Sequence, residues 1–269
     1  MTDKPATLCV HMPFTFAHPA AVMPLRHLQN LPTLALIVGS VAPDVPYYMP
    51  ARIFYAIRDT HTFRGSITLC IPLGLLIIAF GLLMRRPLTA LMSERARWVS
   101  LRAAERFAAR PVNWLLAVPA LLVGSWTHIL WDAFTHPGTW LVRRIDVLSA
   151  PMTVFGISSE VSHVLQYASS IIGLAVLVYW YFQVAAEAPP EVADAGNQPT
   201  PRWLLLALVM VAAIAVGSLH FVRTVSHSLT FYGTTYLLLT RTLAWFAILY
   251  VTVGTLVTLT ERVQPQPET

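Results

Sequence analysis

Residues 66–85, 112–134, 163–184, 202–221 and 236–257 each form an apolar run close to the roughly 20 residues an α-helix needs to cross a bilayer. Lipid offers no partner to a backbone N–H or C=O, so such runs fold as helices that satisfy these groups internally. The expected class is all-α, a polytopic membrane helical bundle. Composition agrees, with 56% apolar residues, 12% charged residues and a mean hydropathy of +0.60, a balance foreign to soluble globular domains.

Two further apolar stretches, 16–28 and 31–48, are interrupted by prolines and separated by Gln29 and Asn30. They read as an N-terminal helical hairpin, giving six to seven membrane helices in all. The first would be about 20 Å long at the helical rise, enough to cross only part of a membrane or to lie at its surface. The opening MTDKPATLCVH lacks a charged start, an apolar core and a small-residue cleavage site, so the first membrane segments are expected to direct insertion. Cys9 and Cys70 are the only cysteines, which supports neither a disulfide framework nor a thiolate zinc site.

The net charge of +5 is unevenly placed: Arg85, Arg86, Arg95, Arg97, Arg102, Arg106 and Arg110 follow the first long run. Positive-inside bias assigns loop 85–111 to the cytoplasm. Within it, Trp98, Leu101 and Phe107 alternate with arginines at near-helical spacing, as in a helix lying on anionic lipid or a plain charged anchor. Threading the runs from that loop puts Asp59, His61, Asp132, His136, His220 and His227 near outer ends, joined by Asp44 and His18 if 31–48 runs outward. The acidic, Pro-rich stretch 186–202 reads as a flexible linker. It separates a membrane domain at 12–185 from a two-helix unit at 203–260, with an extension at 1–11 and a tail at 261–269.

Inside the second long run stands GSWTHILWDAFTH, residues 124–136. Four residues turn about 400° and rise about 6 Å on a helix, so His128 and Asp132 share a face. Ionisable residues within a span are costly and face protein or a cavity. Imidazole beside carboxylate there suits a metal, or else an interhelical hydrogen bond. Asp44, between Pro43 and Pro46, stands at an unwound corner or caps a turn. His61 opens the first long run, with Asp59 available to orient its imidazole and Arg64 to receive an anionic group. His136 lies about 12 Å along a straight helix from His128; it bends back, serves a second ion, or is a terminal histidine. Arg241, inside the last run, needs a carboxylate, a carbonyl or a ligand anion. Gln166, Ser169 and Ser170 read as helix-packing contacts.

MPFTFAHPAAVMPL, GSVAPDVPYY, THTFRGS and GSWTHILWDAFTHPG together resemble an uncharacterised family of bacterial multi-pass proteins with a domain of unknown function. The likeness covers most of 12–185 and sets Met12 at the family's usual start. The order His, Pro-Asp, His, then Thr-His-x-x-x-Asp also resembles the bacterial inner-membrane-bound metal-dependent hydrolases. That likeness implies metal ligation by His18, Asp44, His61, His128 and Asp132. This sequence departs from that pattern, which carries a second histidine and an earlier acidic residue around Asp44 and His61, and His136 is the candidate replacement ligand.

The expectation is a metal-dependent hydrolase in the bacterial inner membrane, with one or two divalent ions, zinc first, near the outer face. Arg64, Arg143 and Arg144 would neutralise an anionic substrate, such as a lipid-like phosphate or acyl ester. The partners expected are the bilayer and that substrate, not nucleic acid. A transporter relaying protons or cations is the competing reading, and a non-catalytic assembly protein the third.

Overall fold

A computed structural model describes residues 15–27, 30–154, 156–194, 202–225 and 231–263. Five of its helices are long and apolar enough to cross a membrane: Phe63–Leu83, Val112–Thr135, Val161–Ala185, Arg202–Thr224 and Gly233–Glu261. Each contains one of the apolar runs, or all but its last residues. The chain is a helical bundle, and the only strands among the described residues form one small hairpin. Pro151–Val154 pairs antiparallel with Ile157–Glu160, and Gly156 holds a φ of 80° at the turn, a conformation glycine adopts without a steric penalty.

The N-terminal limbs are more broken than two short helices. The first comprises 3-10 turns at Thr15–Ala17 and Met23–His27 around a single α-turn at Pro19–Val22. The second is α-helical only over Thr33–Val41 and continues as a 3-10 helix over Ala42–Tyr48. Proline explains the segmentation, because it supplies no N–H to the helical ladder and crowds the preceding turn.

Thr33–Val41 packs against Val112–Thr135 more closely than any side chain would allow. A Cβ on Gly39 would stand 2.4 Å from the Leu121 carbonyl oxygen, and one on Gly124 would stand 2.4 Å from that of Leu36. The two backbones touch, as they do at small-residue seams between membrane helices. Ser125 Oγ donates across the seam to the Gly39 carbonyl at 3.2 Å. Leu36, Leu121, Ala117, Ala120, Val22 and Ile78 form the buried core around it.

The Phe63–Leu83 helix opens with a π-helical turn at Ser66–Cys70, a wide turn that recurs beside functional sites. Trp126 Nε1–H donates to Ser66 Oγ there at 3.1 Å. The last two long helices pack on each other and on the rest of the bundle. Tyr250 donates to the Leu88 carbonyl at 3.0 Å, and the Tyr236 ring meets Tyr47 edge-on at 6.3 Å. Within the stretch read as a linker, Pro190–Asp194 forms a short helix, and residues 195–201 lie outside the described residues, as does the extension at 1–11.

Candidate metal centre

The seam between Gly39 and Gly124 fixes where His128 points. His128, one turn beyond Gly124, is fully buried, and its Nδ1–H donates to the Ser40 carbonyl at 2.7 Å. That bond leaves the lone pair on Nε2, the arrangement that orients a ligating histidine. Asp132 lies one turn further along, with Oδ2 3.2 Å from His128 Nε2.

Asp44 and His61 arrive from two 3-10 turns, Ala42–Tyr48 and Arg58–His61. Thr60 couples the turns, its hydroxyl donating to the Pro43 carbonyl at 2.7 Å. With its proton so committed, Thr60 Oγ1 accepts from His61 Nδ1–H at 3.3 Å, and the imidazole turns Nε2 inward. Asp44 Oδ1 stands 3.2 Å from His61 Nε2 and 3.4 Å from His128 Nε2. The two histidine nitrogens are 3.3 Å apart, and His61 Nε2 is 3.5 Å from Asp132 Oδ2.

Five of the six separations among these four atoms therefore lie between 3.2 and 3.5 Å. Donors placed 2.0–2.1 Å from a tetrahedral ion are about 3.3 Å from one another. Two carboxylates and two imidazoles so close together are held either by protons on the imidazole nitrogens or by one cation among the four lone pairs. Asp44, His61, His128 and Asp132 could hold a metal ion.

His18 and His136 flank the four rather than joining them. The His18 ring stacks on His128 with centroids 3.8 Å apart, and its Nε2 is 3.5 Å from Asp132 Oδ1. The Val112–Thr135 helix ends just before His136, whose backbone is extended (φ −102°, ψ 124°). Its Nδ1 is 3.4 Å from Asp132 Oδ1. The axial separation of about 12 Å from His128 is no obstacle, because Asp132 stands midway and reaches both. Among the described residues, His18 Nδ1 and Asp132 Oδ1 are buried without a hydrogen-bond partner. Such atoms are costly to bury.

Burial of Asp44 alone would raise its pKa, but His128 and His61 hold it well below the usual carboxylate range. Burial, reinforced by His128, pushes His18 down to about 4, and burial likewise lowers His136. Tyr47, packed on His61 with ring centroids 5.8 Å apart, is pushed up to about 12 by burial and then by Asp44. It is a neutral hydroxyl beside the centre.

Four expected residues stand apart. The Asp59 side chain is 79% exposed and lies 4.0 Å from Arg58; Thr60, not Asp59, orients His61. Arg64, Arg143 and Arg144 are exposed, and Arg143 reaches over Gly138. Arg241 donates to the His220 and Phe221 carbonyls at 3.5 Å, one of the pairings its position requires. His220 accepts from Trp245 Nε1–H at 3.2 Å, and His227 lies outside the described residues. Gln166, read as a packing residue, instead brings its amide 3.1 Å from His136 Nε2. Only the register between two helices places it there, and no spacing in the sequence reports that register.

A family model described as a domain of unknown function (DUF4184) matches residues 12–260. The chain belongs to that family. No curated protein and no solved structure matches it, so the likeness to membrane-bound hydrolases rests on motif order alone. All six clustered residues, from His18 to His136, fall inside the DUF4184 region.

Proposed function

We propose that this DUF4184 chain is a membrane-embedded metal-dependent hydrolase whose ion, zinc first, is held by Asp44, His61, His128 and Asp132. The carrying observation is the set of ligand separations between 3.2 and 3.5 Å, which match tetrahedral nitrogen and oxygen coordination. A bound ion of this kind supplies Lewis acidity and lowers the pKa of a water at neutral pH.

The remaining steps belong to the chain. Asp132 Oδ1, buried and without a hydrogen bond, takes the proton from the attacking water. The water oxygen bonds to a phosphorus or acyl carbon as the ester oxygen leaves, and that proton returns to the leaving oxygen. The substrate is a lipid-like phosphate or acyl ester.

The protein sits in the bacterial inner membrane with loop 85–111 in the cytoplasm, supported by the seven arginines there. The centre then faces the outer side, since Asp132 and His136 stand at the far end of the helix that leaves that loop. Elemental analysis of protein purified without chelators tests the proposal. One ion per chain is expected, falling to none in Asp44→Ala and His128→Ala. Metal-free unmutated protein would overturn it.

A further inference from the structure

The Val112–Thr135 and Val161–Ala185 helices and the first N-terminal limb enclose a cavity of about 640 Å³, a size typical of ligand sites. Two contacts set the register of its walls. Trp131 Nε1–H donates to Ser169 Oγ at 3.2 Å, and Gln166 meets His136 at 3.1 Å. The helices thus run antiparallel along the cavity, with His136 against Gln166 at one end and Trp131 against Ser169 further along.

The lining changes character along that axis. His18, Asp132, His136 and Gln166 gather at one end, and Asp132 is shared with the metal centre. Beyond them the walls are Leu130, Ile172, Val176, Ala21 and Pro24. From Gln166 to Val176 the lining runs about 15 Å at the helical rise. Small residues keep the space open at the inner wall, where a Cβ on Gly173 would already stand 3.1 Å from the Ala17 carbonyl oxygen. Leu130 and Ile172, 54% and 63% exposed, mark its lip on two helices that cross the membrane. A polar end continuous with an apolar trough of this length is complementary to an amphiphile lying along the helices. A small water-soluble ester would leave the trough unfilled.

We infer that this cavity binds one hydrocarbon chain of a membrane lipid, with the lipid's polar linkage held at the Asp132 end. The inference rests on the hydrolase reading for the chemistry at the polar end, but chain binding is read separately from metal or turnover.

The test places the full-length protein in phosphatidylcholine nanodiscs doped with phosphatidylcholine bearing a diazirine on one acyl chain. After irradiation, cross-linked peptides are mapped by mass spectrometry, and metal content is measured on the same samples. Labelling concentrated at 127–134 and 165–176 over the lipid-facing 202–224 helix supports the inference. So does its loss in Leu130→Trp and Ile172→Trp, which fill the trough from its exposed lip and keep the metal content of the parent. Even labelling of all spans in the unmutated protein overturns it, whatever the variants do. If no metal is bound but labelling stays concentrated, the hydrolase reading fails and the chain site stands. Bound metal with even labelling removes the chain site and leaves the metal centre in place.

Discussion

His128 Nδ1 and the Ser40 carbonyl oxygen are 2.7 Å apart in a fully buried hydrogen bond, and that bond exists because Gly39 and Gly124 let two backbones touch. A side chain at position 124 would stand 2.4 Å from the Leu36 carbonyl oxygen and 2.7 Å from Ser40 N. Gly124→Ile is therefore expected to destabilise the fold by about 1–3 kcal/mol or more, the cost of overpacking a filled interior. It should also displace His128 and lower metal content. Thermal unfolding in detergent beside elemental analysis measures both; an unchanged Tm would refute the seam.

Thr60 acts on the centre only through His61. Thr60→Val keeps the shape of the side chain and removes the oxygen that accepts from His61 Nδ1–H. Loss of such an outer partner weakens metal binding by about 10–100-fold. Competition against a chelator of known affinity reads the change, and an affinity equal to that of the parent would show that Thr60 only braces Pro43.

Removing the metal should destabilise the protein, because Asp44 and Asp132 would be left facing each other without a cation. An ion present at 100 times its Kd contributes about 2.7 kcal/mol to the folded state. Chelation is expected to lower Tm, and added zinc to restore it. Asp59→Ala serves as the control. Its side chain is 79% exposed, so stability should move by less than about 0.5 kcal/mol and metal content not at all.

Arg202 ties the start of the fourth long helix to two others. Its guanidinium pairs with Glu94 and lies 3.6 Å from Glu261, while only 12% of the side chain is exposed. Arg202→Ala is expected to cost about 1–3 kcal/mol, the usual worth of hydrogen bonds to charged groups, without altering metal content. A thermal shift with metal analysis separates this anchoring role from any effect on the centre.

The spans are legible in the sequence because a bilayer-length apolar run admits one solution, and each of the five runs lies in a long helix except for the last two residues of the first. The His128–Asp132 pair is legible for a similar reason, since helical periodicity alone puts them together. What escapes depends on how separate segments meet. Asp59 is expected beside His61, but the Arg58–His61 segment is a 3-10 turn. At three residues per turn, side chains two apart point in different directions. A straight helix would carry His136 away from His128, and the helix stops one residue short of it. Gln166 and Tyr47 carry no signature in their own neighbourhoods; helix register and a proline-shaped turn bring them to the cluster. The motif order that suggests His18, Asp44 and His61 names the segments without showing that His18 stacks on His128.

The Pro-Asp corner and the glycine seam together have a consequence for which ions can be accepted. Calcium prefers six to eight oxygens at 2.3–2.6 Å in a yielding shell. Here two of the four side chains stand on a helix whose backbone touches its neighbour's, and Asp44 on a turn with proline-fixed φ angles, so widening the group means parting Gly39 from Leu121 and Gly124 from Leu36. The spacing of the four side chains is thereby set by the skeleton as much as by the side chains themselves.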